Sequence, residues 1–353
     1  MRFKDKLSPL YSAAVMLLLN IFCIKYLDVN QYSSYLFYLN LINVLSGIAL
    51  FRIFDFRVGK YGSYFTTEDL LQISSVFLML VTLMLGFFIF ALSLPAYIAG
   101  CVLANTIFLM ACQYTIFGGN LRTLTFLRLS RGLILTILVS LLFLFEALRQ
   151  IETIFLGLMV SSFMGLRYLK NPLKHFHKLS IFKDAQFRNK FIHRNLSYIV
   201  DMSHVPIVVW VLTSANAPNE MLIKTFGLLL SVVGILNQIS SELLRAKVFD
   251  IQSSIRLFFV IISCLFFVTL LTFIFVYNSV SYLPLLVLFW LCVPYSGYRI
   301  LEFNREKWDV LINLIILIIL LFCVRYMESD FIFIFTLSLK YVFLFCIGFW
   351  RTS

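Results

Sequence analysis

Long apolar runs constrain this chain more than any other feature of its sequence. A helix that crosses the roughly 30 Å hydrocarbon core of a bilayer needs about 20 mainly apolar residues. Twelve such segments occur along the 353 residues. Their predicted bounds are 7–26, 34–54, 70–91, 96–117, 125–145, 151–168, 191–212, 222–243, 256–277, 282–301, 309–327 and 330–350. The pattern predicts an all-α polytopic membrane protein with about 12 transmembrane helices, numbered here as spans 1 to 12.

The composition agrees with lipid as the main solvent of the chain. Of its residues 61% are hydrophobic and 13% are charged, whereas soluble domains carry about 25% charged residues. The formal net charge is +12, and a strongly basic balance often marks nucleic-acid binding. Here the Lys and Arg residues lie in short loops between apolar segments and form no single patch. We therefore expect membrane lipids, and no nucleic acid, as partners.

The longest polar interval lies in the middle of the chain, from Arg167 to Arg194. Six spans precede it and six follow it. We therefore predict an N-terminal six-helix bundle over 1–170, a cytoplasmic basic linker over 171–190 and a C-terminal six-helix bundle over 191–353. With the N-terminus inside, 24 of the 29 Lys and Arg residues fall on the cytoplasmic side. The positive-inside rule then places both termini in the cytoplasm.

The sequence offers no recognisable constellation for catalysis, for a metal or for a cofactor. The seven Cys residues lie in apolar segments without CxxC spacing, and we interpret them as small hydrophobes packed between helices. We see no phosphate-binding loop, no paired carboxylates and no activated nucleophile. His175 and His177 are expected to be solvated linker residues. We therefore expect no enzyme, no catalytic residue, no metal and no cofactor.

Two ionisable residues are predicted near mid-depth in the membrane, where a charge is costly and suggests a function. Asp201 lies about ten residues, or ~15 Å, into span 7, and Lys340 lies at a similar depth in span 12. One face of span 7 carries Arg194, Ser197, Asp201 and His204. Asp201 and His204 are the predicted proton-coupling pair. The alternative is that Asp201 pairs with Lys340 or His204 only to be neutralised.

Arginines near the predicted cytoplasmic ends of two helices form a second candidate site. Arg52 and Asp55 end span 2, while Arg128 and Arg131 share one side of span 5. A guanidinium grips a phosphate group through two parallel hydrogen bonds. These residues are therefore candidates for holding a pyrophosphate headgroup at the mouth of a cleft. Snorkelling of the side chains to the interface is the structural alternative.

Polar stripes on otherwise apolar helices add further candidate cleft residues. Span 2 carries Asn40, Asn43 and Gly47 on one stripe, and span 8 carries Gln238 within a long polar face. Such a face either packs against another helix or lines a watery cleft, and the sequence leaves both open. Asn105 is isolated in span 4, where we expect it to hydrogen-bond to another helix.

The segment 24–62, IKYLDVNQYSSYLFYLNLINVLSGIALFRIFDFRVGKYG, includes span 2 and its flanking turns. It resembles the same region of polysaccharide flippases of the Wzx type, in the multidrug/oligosaccharidyl-lipid/polysaccharide exporter superfamily. In that family a short external turn, Leu-Gly-x-x-x-Tyr-Gly-x-Tyr, opens the second helix. Here the turn runs from Leu27 to Tyr35, with Asp28 and Ser33 in place of the glycines. Asp201 is a second match, because family members often carry an acid in the seventh helix.

The resemblance implies two six-helix bundles around a central cleft that opens alternately to each side. It implies a flippase for undecaprenyl-pyrophosphate-linked oligosaccharide repeat units at the bacterial inner membrane, in O-antigen or capsular polysaccharide synthesis. A polysaccharide polymerase and a chain-length regulator are the further partners it implies.

Two other classes of function stay open at this point. The first is a small-molecule secondary transporter, of the major facilitator or the multidrug exporter type. The segment from Asp55 to Lys60 comes close to the major facilitator motif Asp-Arg-x-Gly-Arg, with one residue too many. The second class is a membrane-embedded glycan polymerase or acyltransferase. The short predicted external loops argue against the polymerase.

Overall fold

Helices make up every regular element that the structure describes. The structure is a computed structural model, and it describes residues 8–50, 53–57, 65–91, 95–118, 120–145, 150–168, 182–214 and 306–326, with the single positions 223, 224, 227 and 343. The helices are α1 (Ser8–Tyr26), α2 (Val29–Leu50), α3 (Thr67–Ala91), α4 (Tyr97–Phe117), α5 (Leu121–Phe143), α6 (Ile151–Ser162), α7 (Ala185–Ser214) and α8 (Glu306–Tyr326). Short 3₁₀ helices, Ile53–Arg57 and Phe163–Tyr168, follow α2 and α6.

The described helices lie on the predicted membrane spans. Helices α1 to α7 coincide with spans 1 to 7, and α8 coincides with span 11. Four helical segments in the described ranges are long and apolar enough to cross a membrane: Val29–Leu50, Tyr97–Phe117, Arg122–Phe143 and Ile151–Tyr168. These features agree with a polytopic helical membrane protein. Apart from the single positions 223, 224, 227 and 343, spans 8, 9, 10 and 12 lie outside the described residues, so the total of twelve and the cytoplasmic termini stay predictions.

Acidic side chains set where two of the helices begin. Asp28 Oδ1 accepts a hydrogen bond from the Gln31 amide at 2.8 Å, and α2 begins earlier than the predicted residue 34. Asp184 Oδ1 accepts one from the Gln186 amide at 2.9 Å, and α7 begins earlier than the predicted residue 191. A side-chain oxygen that satisfies a free amide in the first turn stabilises that turn. The last residues of the predicted linker therefore belong to α7.

The chain forms two compact units, Met1–Lys224 and Thr225–Ser353. The first contains α1 to α7, and the second contains α8. Within the first unit, α1 packs along α5, α2 packs along α7, and α4 packs against both α2 and α6. The helix that follows the basic linker is therefore part of the same unit as the N-terminal helices. The division of the whole chain into two six-helix bundles stays a prediction.

An aromatic cluster joins the start of α7 to the segment between α2 and α3. The ring centroid of Phe56, in the 3₁₀ helix Ile53–Arg57, lies 4.7 Å from that of Phe187 on α7. Phe65, just before α3, lies 5.7 Å from the same Phe187 ring, and Phe182 lies 5.2 Å from it. The four rings, with Phe191, form what we call the aromatic cluster, and it fixes the first turns of α7 within the unit.

Candidate functional site

A polar network crosses three helices inside the first unit; it consists of Asn43, Ser46, Asn105 and Arg131. Arg131 Nη2 on α5 donates to Asn105 Oδ1 on α4 at 2.9 Å. Asn105 Nδ2 donates to Ser46 Oγ at 3.1 Å and lies 3.4 Å from Asn43 Oδ1, both on α2. Ser46 Oγ donates to the Val102 carbonyl oxygen at 3.4 Å. Because Asn105 and Ser46 are buried, the network lies in the interior of the unit.

The guanidinium of Arg131 lies over an aromatic ring. Its guanidinium carbon lies 4.1 Å from the ring centroid of Phe108, which stands one turn after Asn105 on the same face of α4. The negative face of the ring attracts the cation and helps to position it. Because α5 begins at Leu121 and not at the predicted residue 125, Arg131 lies near the middle of this 23-residue helix. It is therefore deeper than the cytoplasmic end where the sequence placed it.

The three helices that supply the polar network, α2, α4 and α5, carry no acidic residue, and neither does α1. Arg128, one turn before Arg131, is buried and lies close enough to repel the charge of Arg131. Within the described part of the chain, Nε of Arg131 is buried and makes no hydrogen bond. The site therefore combines positive charge with a free donor, the two properties that bind an anion.

Tyr198 on α7 packs directly over Gly47 on α2. A Cβ atom at position 47 would overlap the Tyr198 ring, so the two helices approach this closely only because residue 47 is glycine. The Tyr198 hydroxyl donates to the Asn43 carbonyl oxygen at 3.1 Å. The stripe predicted on span 2 is therefore a contact between helices, and it lies beside the polar network.

The predicted polar face of α7 is largely buried. Arg194, Ser197 and His204 expose 3%, 3% and 1% of their surfaces, and Asp201 is partly buried. The Arg194 guanidinium carbon lies 4.4 Å from the Phe56 ring centroid. The sequence placed Arg194 on span 7, and the structure confirms this, since Arg194 lies on α7 and contacts a ring of the aromatic cluster. The proton-coupling role of Asp201 and His204 stays a prediction.

The other predicted cleft residues are not part of the network. Asn40 Nδ2 donates to the Leu36 carbonyl oxygen of its own helix at 2.7 Å. Asp55 lies in the 3₁₀ helix Ile53–Arg57. Arg52, Gln238 and Lys340 lie outside the described residues. Of the predicted set, the structure brings together Asn43, Arg128 and Arg131.

Three residues of the site had no predicted part in it. Asn105 was expected to bond to another helix, and this is confirmed, since it bonds to residues of both α2 and α5. Its link to Arg131 was not foreseen. Ser46 and Phe108 gave no signal, because serine and phenylalanine are common in the apolar helices of this chain. In the described ranges no group of three or more His, Cys, Asp or Glu residues is placed to hold a metal ion.

The fold of the chain is that of a known class of transporter. The chain is similar to the crystal structure of a MATE protein in complex with Br-NRF, with a TM-score of 0.52 and 9% sequence identity. The similarity spans 98% of this chain and 93% of that one. MATE proteins are multidrug and toxic compound extrusion transporters of the multidrug/oligosaccharidyl-lipid/polysaccharide exporter superfamily.

At this level of identity the likeness concerns the fold. It does not single out the flippases that segment 24–62 resembles. Comparisons of the sequence with models of known families and with curated proteins find no match. The chain therefore has the fold of a MATE transporter, a polytopic helical membrane fold, and its substrate is a separate question.

Proposed function

We propose that this protein is a secondary transporter that exports an amphiphile with an anionic headgroup across the membrane by alternating access. The MATE-like fold supports the transporter class. One observation supports the charge of the substrate: Arg131 lies at the middle of α5, beside the buried Arg128, and the three helices of the polar network, α2, α4 and α5, carry no carboxylate. Charged residues inside a membrane are costly and mark substrate or ion pathways.

An anion is the ligand that gains most from this arrangement. A guanidinium presents five donors in a fixed plane and binds phosphate oxygens in pairs. Hydrogen bonds to charged groups contribute about 1.5–3 kcal/mol each. Nε of Arg131 is a buried donor that makes no hydrogen bond in the described part of the chain. A ligand oxygen that accepts from it would remove the free-energy cost of a buried donor without a partner.

The substrate that we propose is an undecaprenyl-pyrophosphate-linked oligosaccharide. Its pyrophosphate supplies the anion, and its polyprenyl tail keeps it in the bilayer. The resemblance of segment 24–62 to polysaccharide flippases supports this choice. On this proposal the protein acts in the bacterial inner membrane, in O-antigen or capsule synthesis, with a polysaccharide polymerase and a chain-length regulator as partners.

A multidrug exporter is the second candidate, and the fold comparison favours it. A solved structure with this fold is a MATE protein in complex with Br-NRF, and this agrees with multidrug export at least as well as with a flippase. The two candidates differ in cargo, since a drug exporter lowers the accumulation of diverse compounds in cells and leaves the surface glycan unchanged.

Deletion of the gene in its host separates the two candidates. The surface polysaccharide is analysed by electrophoresis, the lipid-linked intermediates are extracted, and the accumulation of a cationic dye is measured in the same cells. We expect loss of the long glycan, single repeat units trapped on the cytoplasmic leaflet and unchanged dye accumulation. An unchanged glycan with raised dye accumulation would instead establish the drug exporter.

Complementation of the deletion tests the site. We expect Arg131→Gln to restore glycan export about tenfold less well than the wild type, because one charge-assisted contact to the substrate is lost. Arg122→Gln is the matched control, since Arg122 is exposed in the first turn of the same helix. Equal export by the two variants would contradict a role for Arg131.

A further inference from the structure

Asn105 occupies the place where a buried arginine ordinarily has its counter-ion. Its Oδ1 accepts from Arg131 Nη2 at 2.9 Å, and it exposes only 3% of its surface. A carboxylate at this position would form an ion pair with the guanidinium, whereas an amide oxygen satisfies one donor and leaves the positive charge in place.

The orientation of the Asn105 amide is set by its neighbours. Ser46 Oγ donates its proton to the Val102 carbonyl, so towards Asn105 it is an acceptor. Asn105 must then present Nδ2 to Ser46, at 3.1 Å, and Oδ1 to Arg131. The network therefore fixes which end of the amide faces the guanidinium.

The Phe108 ring is a second uncharged group that positions the Arg131 guanidinium. The centroid of the Phe108 ring lies 4.1 Å from the Arg131 guanidinium carbon, and the ring contributes no charge that would neutralise it. Asn105 accepts a hydrogen bond from the guanidinium and Phe108 packs against it, and both residues come from α4. Arg131 is thus oriented by groups that carry no net charge.

We infer that Asn105 determines the charge selectivity of this site: it positions Arg131 without neutralising it, so that the site binds an anionic headgroup and rejects a neutral or cationic one. The inference rests on the proposed function, because it assumes that Arg131 meets the substrate. Asn105 is a positioning residue, and its amide nature is the property that selects for charge.

The change Asn105→Asp tests the inference with almost no change of shape. It places a carboxylate on the Arg131 guanidinium and cancels the charge that the ligand would meet. We expect the preference of the full-length protein in nanodiscs for farnesyl pyrophosphate over farnesol, which have the same tail, to fall by at least about tenfold, the effect of losing one charge-assisted contact.

Asn20→Asp is the matched control. Asn20 on α1 is buried to the same extent, with 3% exposed, and its Oδ1 accepts from the neutral Tyr32 hydroxyl at 3.1 Å. We expect this variant to keep the wild-type ligand preference and to lose thermal stability, because it places a buried carboxylate beside the Tyr32 hydroxyl and not on the Arg131 guanidinium. Asn105→Asp gains an ion pair and is expected to remain the more stable of the two.

Asn43→Asp provides a second route should Asn105→Asp not fold. Asn43 Oδ1 lies 3.4 Å from Asn105 Nδ2, one hydrogen bond further from Arg131. The same charge at this longer distance is expected to lower the preference for farnesyl pyrophosphate by less than Asn105→Asp does, and by more than Asn20→Asp does.

The outcomes separate this inference from the proposed function. If Arg131→Gln and Asn105→Asp each lose the preference for farnesyl pyrophosphate over farnesol, the result supports the inference and the proposed function. Loss in Arg131→Gln with full preference in Asn105→Asp and Asn43→Asp overturns the inference and leaves the proposed function standing. A wild-type protein that binds farnesyl pyrophosphate and farnesol equally well overturns the proposed function and the inference with it.

Discussion

Gly47 shows how a single residue sets the distance between two helices of this protein. The Tyr198 ring lies where the Cβ atom of any other residue would stand. The close approach lets the Tyr198 hydroxyl bond to the Asn43 backbone at 3.1 Å. Small residues at helix contacts are a general means of close packing in membranes, and here the contact joins α7 to the helix that carries half of the polar network.

We predict that Gly47→Ala and Tyr198→Ala are each destabilising and that their effects are not additive. The alanine methyl group collides with the ring in the first variant, and the ring contact is lost in the second. In the double variant the methyl group meets space that the ring has left, so it should be more stable than the two single effects predict, by about 0.5–3 kcal/mol. Thermal unfolding of the four proteins measures this, and strict additivity would contradict the contact.

The sequence identified some residues of the site and missed the links between them. Arg131 and Asn43 stood out because charged and amide side chains are rare in apolar helices. The bonds of Asn105 to Ser46 and Arg131 join α4 to α2 and to α5. The rotation and axial shift of one helix against another decide such bonds, and the composition of a single helix does not contain that information.

At the scale of the elements, the start of α7 has the clearest physical explanation. Asp184 accepts a hydrogen bond from the first turn, and the aromatic cluster packs the same turns against the segment that follows α2. Hydropathy places the centre of a helix well, because the apolar residues lie in the bilayer. It places the ends poorly, since a cap can extend the helix into polar sequence. This is why α2 and α7 both begin before their predicted first residues.

We predict that Phe187→Ala destabilises the protein by about 3–5 kcal/mol, the usual effect of truncating a buried phenylalanine. Phe187 has no exposed surface and contacts several rings of the aromatic cluster. Phe126→Ala is the control, since Phe126 is 55% exposed on α5 and should change stability far less. Hydrogen exchange should also become faster in the first turns of α7 in Phe187→Ala. Equal losses of stability in the two variants would contradict the described packing.

At the scale of the whole molecule, the pattern of apolar segments predicts a helical membrane fold, and the structure has that fold although few residues are identical to those of the similar transporter. Only 9% of residues are identical to those of the MATE protein, yet the similarity of fold extends over 98% of the chain. A membrane fold depends on where apolar helices begin and end and on which faces pack, and many sequences satisfy these conditions. The shared fold does not identify a substrate, because recognition of a ligand depends on a few polar side chains.

The most direct test of the central claim is the rate at which the purified protein moves a lipid-linked oligosaccharide across liposome membranes. The substrate is a fluorescent undecaprenyl-pyrophosphate-linked oligosaccharide, and an impermeant quencher reports its loss from one leaflet. The proteins compared are the wild type, Arg131→Gln and the exposed control Arg122→Gln.

We predict that the wild type and Arg122→Gln move the substrate, and that Arg131→Gln is about tenfold slower or worse, since it loses a charge-assisted contact to the headgroup. Equal rates for Arg131→Gln and the wild type, or a wild-type rate no higher than that of protein-free liposomes, would contradict the claim that this arginine holds the anionic headgroup during transport.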